Sequence, residues 1–385
     1  MSSTTTNFEL VPPLKAATAT TMKIVAKIGT SSVTDEAGRV DDVAVRKLCG
    51  DVAHLRDAGH QVLVVTSGAI GAGLPALGLT GDRRPRDATT LQAIAAVGQS
   101  RLMQVYMDAL GAHDLIAGQV LLAPLDFVVR QQYLHARGTL DRLLELGVVP
   151  IINENDAVAD DEIRFGDNDR LAALVAHLVS ADLLVLLTDA PGVLTADPRL
   201  DESASLIEEI VEVDHELEAV AGGAGTERGS GGMASKVAAA KIAAWSGVRT
   251  VIASARRDDV LADAVAGAPG VGTTVLPRDQ RLPSRKLWIA FAVGSSGTVT
   301  VDEGASRALV EGGKSLLAAG ITDVAGTFET DDAVEVAGPD GRVFAKGLVR
   351  WGSDVVREVA GRHSTTVPEG LPPYVIHRDD LVVLP

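Results

Sequence analysis

Cysteine occurs once in this 385-residue chain, at Cys49. One thiol cannot close an internal disulfide, and without a cysteine cluster there is no thiolate site for zinc. The surrounding AVRKLCGDVAHL reads as a helix, which makes Cys49 a small packing residue rather than a nucleophile. Aromatics are also scarce, 3% of a chain that is 46% hydrophobic. The core must then be Ala, Val, Leu and Ile, the usual filling of strands covered on both faces by helices. Positive charge is short: 35 Lys and Arg stand against 51 Asp and Glu, for a net charge of −16. That balance argues against general nucleic-acid binding, which needs clustered cations on phosphates, and against an anionic membrane surface. A few local cations in a cleft can still bind an anionic substrate. The eight histidines show no HxxxH or HExxH spacing. A long apolar run is missing too. The nearest, Leu171 to Thr188, is broken by His177 and Asp182, and reads as a helix followed by a buried strand rather than a membrane span. Residues 1–21 carry no continuous apolar stretch, so they read as a tail and not as a secretory signal. These absences point to a soluble cytoplasmic protein.

What is present is alternation. The length favours two domains. Up to about residue 275, strand candidates (Lys23–Ile28, Gln61–Thr66, Leu115–Leu122, Val148–Ile152, Leu183–Thr188, Arg249–Ala253) alternate with helix candidates (Asp42–Ala58, Thr90–Leu110, Gln131–Leu146, Asp169–Val179, Ala234–Ser246). This predicts an α/β fold: a mainly parallel sheet sandwiched by helices, with ligands beyond the carboxyl ends of the strands. PRDQRLPSRK then reads as a linker. Short alternating segments follow at Gly297–Val301, Ala333–Val336, Arg342–Leu348 and Leu381–Leu384, which predict a small β-rich second domain. The expected organisation is a tail 1–21, a first domain 22–277, a linker 278–285 and a second domain 286–385.

Four strand ends carry polar, glycine-rich sequence. Lys27-Ile28-Gly29-Thr30-Ser31 places a lysine at a buried strand end before residues that can donate to an oxyanion. It is not a Walker A loop, since GxxxxGK[ST] is absent, and a strand-edge lysine reaching solvent is the plainer reading. TSGAIGAG, from Thr66 to Gly73, either lets a ligand approach the backbone or serves only a tight strand-to-helix turn. Asn153-Glu154-Asn155-Asp156 and Gly166-Asp167-Asn168-Asp169 hold more acids and amides than one helix cap needs. They suit a polar or zwitterionic ligand, with Asp156 for an ammonium group and Asn168 beside it. Thr188-Asp189-Ala190-Pro191-Gly192 is followed by Arg228-Gly229-Ser230-Gly231-Gly232-Met233-Ala234-Ser235-Lys236. A glycine-rich segment entering a helix can place free amides on an anion, or it can be a flexible loop with a surface lysine. Taken together, two lysines, anion-binding glycines and a carboxylate-amide cluster meet the needs of phosphoryl transfer, which asks for positioning and cations more than for covalent chemistry.

The segments VAKIGTSSV, VVTSGAIGAG, AAVGQSRLM, INENDAV, GDNDRLAALVA, LLTDAPGVLTADPR and SGGMASK closely resemble, in order, the glutamate 5-kinase family of the amino-acid kinase fold. RKLWIAF, GTVTVDEGA and VIHRDDLVV resemble its C-terminal PUA domain. The resemblance implies ATP and L-glutamate as substrates, Mg²⁺ held mainly by ATP with no protein metal site, and L-glutamyl 5-phosphate as product, the first step of proline synthesis. It implies Lys27, Lys236 and Asp169 as catalytic residues, Asp169 orienting the two lysines. Ser67, Asp156 and Asn168 would bind glutamate. Lys27, Thr188, Asp189 and the loop Ser230, Gly231, Gly232, Met233, Ala234, Ser235 and Lys236 would bind ATP. Proline is the expected feedback inhibitor, and a homo-oligomer the expected assembly. Ser230 replaces the family's usual threonine and keeps its hydroxyl. PUA modules bind RNA elsewhere, but residues 285–385 hold ten basic against fourteen acidic side chains, a poor match to a phosphate backbone. A structural or regulatory role fits better.

Overall fold

The computed structural model describes residues 20–35, 39–79, 85–158, 168–199, 201, 203–222, 232–291, 293–362 and 372–384. Of the expected tail only residues 20 and 21 fall within that set.

The first sheet is built from β1 (Lys23–Ile28), β2 (Gln61–Val65), β3 (Ala117–Leu122), β4 (Val149–Glu154), β5 (Leu183–Thr188), β6 (Glu209–Ile210), β7 (Arg249–Ser254) and β8 (Thr273–Val275), in the order β3-β4-β2-β1-β5-β7-β8-β6. All pairs are parallel except β7 with β8. The central strands show no alternation. Ile24 to Ile28 and all of Leu183–Thr188 are buried, as expected for strands with helices on both faces.

Chief among those helices are α1 (Asp42–Asp57), α2 (Ala69–Ala76), α3 (Ala88–Gly111), α4 (Arg130–Glu145), α5 (Asn168–Leu178) and α6 (Met233–Trp245). Their starts are encoded locally. Asp41 accepts from the amides of Val43 and Ala44 at 2.9 and 3.2 Å, and Asp87 accepts from that of Thr90 at 2.9 Å, each cap contributing roughly 1 kcal/mol. Cys49 is buried on α1, where burial pushes its thiol up to about 12. It is therefore a packing residue in a thiol state that does not react.

The second sheet has the order β10-β9-β11-β12-β13, from β9 (Gly297–Val301), β10 (Ile321–Gly326), β11 (Ala333–Ala337), β12 (Val343–Val349) and β13 (Ile376–Val383). β10 does not stand out in the sequence, because its residues after Ile321 are mostly exposed and leave no apolar signal. The last strand starts at Ile376, five residues before the alternating LVVL. Three helices join this part: α7 (Ser284–Phe291), α8 (Glu303–Val310) and α9 (Ser353–Val359). Helix α7 begins within the sequence read as linker. It buries Leu287 and Ile289 in the same apolar cluster as Ala239, Trp245, Leu348 and Val382, so the two sheets share a continuous core. Ser284 fixes the join: its hydroxyl lies 2.9 Å from His177 Nε2 and 3.1 Å from the Tyr133 hydroxyl.

Candidate active site

Strand register decides where the chemistry collects. Lys27 pairs with Val65 of β2 and Leu186 of β5, and Val65 pairs with Ile152 of β4. The four central strands therefore end in one row, and Ile28, Thr66, Asn153 and Thr188 stand along a single carboxyl edge.

Lys27 is buried near the end of β1, and Lys236 is buried in the first turn of α6. The two are 209 residues apart in sequence, yet both ammonium groups meet one carboxylate. Lys27 Nζ pairs with Oδ1 of Asp169, and Lys236 Nζ lies 3.0 Å from Oδ2. Asp169 is the second residue of α5 and is fully buried. Burial by itself would raise its pKa; the charges of Lys27 and Lys236, with their hydrogen bonds, outweigh that and hold it below the usual carboxylate range. Ser235 Oγ also donates to Oδ2 at 3.0 Å. A cation buried in a protein needs a partner, and one carboxylate serves both. Gly29 sits beside this group: a Cβ there would lie 3.7 Å from Lys27 Nζ, an ordinary contact.

An amide network adjoins the lysines. The Asn168 side-chain amide donates to the Thr66 carbonyl, to Asn153 Oδ1 at 2.7 Å and, more weakly, to Ser67 Oγ at 3.3 Å. Asn153 donates to Gln99 Oε1 at 2.8 Å and accepts from the Glu154 amide at 2.9 Å. Gln99 was not recognised in the sequence. Its signal is a lone polar residue on the buried stripe Ile94, Ala95, Gly98, Leu102 of α3. Asp156 is half-buried in the turn after β4, which the Asn155 amide ties to the Leu122 carbonyl at 2.8 Å.

The glycine run after β2 does two jobs. Gly68 has φ of 103° and makes the turn into α2, a conformation that glycine adopts without strain. Gly73 is a packing residue: a Cβ there would lie 2.2 Å from the Ile94 carbonyl oxygen of α3. On the other flank, Thr188 is buried and donates to Asp189 Oδ1 at 3.1 Å, with Asp189 exposed. Gly232, Met233, Ala234 and Ser235 lead into Lys236 and are exposed or half-buried. Ser230 and Gly231 lie outside the described residues.

The site thus presents two ammonium groups on one carboxylate, at the strand ends where parallel sheets take their ligands. A model of the amino acid kinase family matches residues 22–254, and one of the PUA domain matches residues 297–371. A glutamate 5-kinase of Caldanaerobacter subterraneus subsp. tengcongensis is 46% identical over 367 residues, 94% of this chain and 98% of its own. One from Burkholderia multivorans is 45% identical over 375 residues, 96% of this chain and 100% of its own. The chain belongs to the amino acid kinase family, among its glutamate 5-kinases. Among solved structures, a carbamate kinase from Giardia lamblia bound to AMP-PNP aligns with a TM-score of 0.48 and 18% identity, covering 67% of this chain and 99% of that one. In this kinase, then, the first sheet forms the amino acid kinase domain and the second belongs to the PUA domain. Among the described residues no helix is long and apolar enough to cross a membrane, and no group of three or more His, Cys, Asp or Glu is placed to hold a metal.

Proposed function

We propose that this chain transfers the γ-phosphoryl group of ATP to the side-chain carboxylate of L-glutamate, giving L-glutamyl 5-phosphate. The observation that carries the reading is the convergence of Lys27 and Lys236 on Asp169. A migrating phosphoryl gathers negative charge on its equatorial oxygens, and preorganised cations there lower the barrier. Asp169 is a positioning residue: it keeps two mutually repelling ammonium groups side by side before ATP arrives. The acceptor needs no general base, because a glutamate carboxyl with a reference pKa of about 4.3 is already ionised at neutral pH. Lys27, Thr188, Asp189 and the segment 230–236 are assigned to ATP. Ser67, Asp156 and Asn168 are assigned to glutamate, Asp156 facing its ammonium group.

Both oxygens of Asp169 are engaged by ammonium groups, so the buried carboxylate has little left for a metal. This fits a Mg²⁺ ion carried mainly by the phosphates of ATP, where it would neutralise charge that the lysines leave. Proline keeps the ammonium and α-carboxylate of glutamate but has no side-chain carboxylate to phosphorylate, which suits it as an inhibitor of the same pocket. ATP as co-substrate and a free buried thiol suit the cytoplasm. A homo-oligomer is supported by the exposed Ile116, Leu121, Leu125, Val129, Leu134 and Leu146 near the β3 edge, and light scattering tests it.

The test of activity is hydroxamate formation with MgATP and hydroxylamine, using glutamate, aspartate, N-acetylglutamate and carbamate in turn. Glutamate alone should give strong turnover, lowered by proline; silence with glutamate ends this reading. Asp156→Ala should raise the glutamate KM about 10- to 100-fold, the loss of a hydrogen bond to a charged group, with the ATP KM little changed. An unaltered glutamate KM removes Asp156 from the substrate pocket.

A further inference from the structure

A second cleft, of about 1000 Å³, opens between the two domains. Its floor is Trp245, the last residue of α6. Lys236 lies nine positions earlier on the same helix, so at a rise of about 1.5 Å per residue the backbone at Trp245 is roughly 14 Å along the axis from that at Lys236. It is a separate place, and its volume suits a small molecule.

The floor is built. The guanidinium of Arg278 lies 4.3 Å over the Trp245 ring and bonds Glu212 at 2.6 Å. Phe291 meets the indole edge-on at 5.5 Å. The amides of Arg278 and Leu282 donate to the carbonyls of Ala244 and Trp245 at 3.0 and 2.9 Å, so the connecting chain is strapped to the end of α6.

The walls are cationic. Lys286 comes from α7, Lys314 from the turn after α8 and Arg378 from β13. Among the described residues neither Lys286 nor Lys314 lies within ion-pair distance of a carboxylate. Of the three lining acids, Glu212 is engaged by Arg278, Asp379 contacts His377 at 3.5 Å and Arg378 at 3.9 Å, and Asp279 is exposed on the connecting chain. In a chain of net charge −16, this cleft is lined by one more cation than anions. Two lysines without counter-charges, brought from different elements to one concave wall, leave a place for negative charge.

We propose that this interdomain cleft binds a small polyanion, a phosphate or carboxylate compound held by Lys286 and Lys314 with Arg378 beside them. The chemistry is that of compact anionic metabolites. A nucleic-acid strand is disfavoured by the acidic balance of residues 285–385.

Calorimetric titration of the full-length protein with pyrophosphate, and separately with citrate, tests the proposal. Wild type should take up one equivalent per chain more than Lys286→Ala/Lys314→Ala, and added salt should weaken that uptake because the lysines are solvated. Lys286→Arg/Lys314→Arg should keep it. Stronger binding of pyrophosphate assigns the cleft to phosphates, and of citrate to carboxylates. Both lysines lie outside the catalytic machinery, so turnover with glutamate and MgATP should be unchanged in the double alanine variant, which also reports that it folds. Equal stoichiometry in wild type and the alanine variant for both probes overturns the proposal. So does a short single-stranded oligonucleotide that outcompetes both anions, which would make the cleft a nucleic-acid surface.

Discussion

Among the described residues two buried aspartates are each bracketed by two cations, and they differ in what surrounds the cations. Asp169 has a side-chain exposure of 0%, and its partners Lys27 and Lys236 of 3% and 5%. Asp380, at 5%, is equally hidden, but Arg285 and Arg350, 2.6 Å from its two oxygens, are 57% and 30% exposed. Around Asp169 every charge depends on the others, since none reaches water. Around Asp380 the arginines stay solvated and the planar forks act as a clamp, joining α7 to the end of β12. Lysine also differs from arginine in kind: it is a mobile point charge that can turn from a carboxylate to an arriving phosphate. On the proposed function, the first cluster is stored charge that a substrate can use. The second is a fastening.

The largest effect that would break this contrast is at Asp169. Asp169→Asn leaves two buried ammonium groups facing each other, and should cost about 3–5 kcal/mol of stability. The melting temperature should fall by on the order of 10 °C. A shift of a degree or two would mean that the lysines reach water. The same cluster has a pH signature. Its folded pKa is depressed, so its contribution is present above the ordinary carboxylate range and is lost as pH falls below it. Acid unfolding should therefore be steeper in wild type than in Asp169→Asn.

Next comes Lys236→Ala. It should lower kcat about 10²- to 10³-fold while the glutamate KM stays near its wild-type value, because the charge acts where the transition state gains it. Normal turnover would show that Lys236 only balances Asp169. His177 sharpens the picture of the junction. Burial, then the charges of Arg281 and Arg137, push its pKa down from 6.5 to about 4. The unfolded chain binds the proton first, so this group withdraws stability as pH falls from about 6.5 to about 4, by up to roughly 3 kcal/mol. His177→Gln should flatten the pH dependence of melting in that window; an identical slope would show that the imidazole is solvated. Smallest is Asp380→Ala, expected at about 1 kcal/mol because its arginines return to water. A loss as large as that of Asp169→Asn would erase the distinction between the two clusters.

The elements were largely legible because local chemistry writes them. Buried parallel strands read as unbroken apolar runs, and Asp41 and Asp87 announce their helices. What escaped were β6 and β8, two and three residues long, the exposed β10, the short helices α2, α8 and α9, and α7, whose first residues look like linker until Leu287 and Ile289 find the shared core. At the site, Lys27, Asp169 and Lys236 were visible as strand-end and helix-start residues. Gln99 was not, because a single buried amide in a helix has no spacing to give it away.

By itself the chain order determined the layered α/β architecture, the strand ends that carry polar residues and the kind of chemistry they suit, since periodicity and turn composition are local properties. Only the tertiary structure decided that Lys27 and Lys236 share one carboxylate, that the Gly73 position is packing rather than ligand approach, and that a cationic cleft opens between the domains. Those facts depend on strand register and on surfaces brought together across hundreds of residues, and no local pattern encodes a distance of that kind.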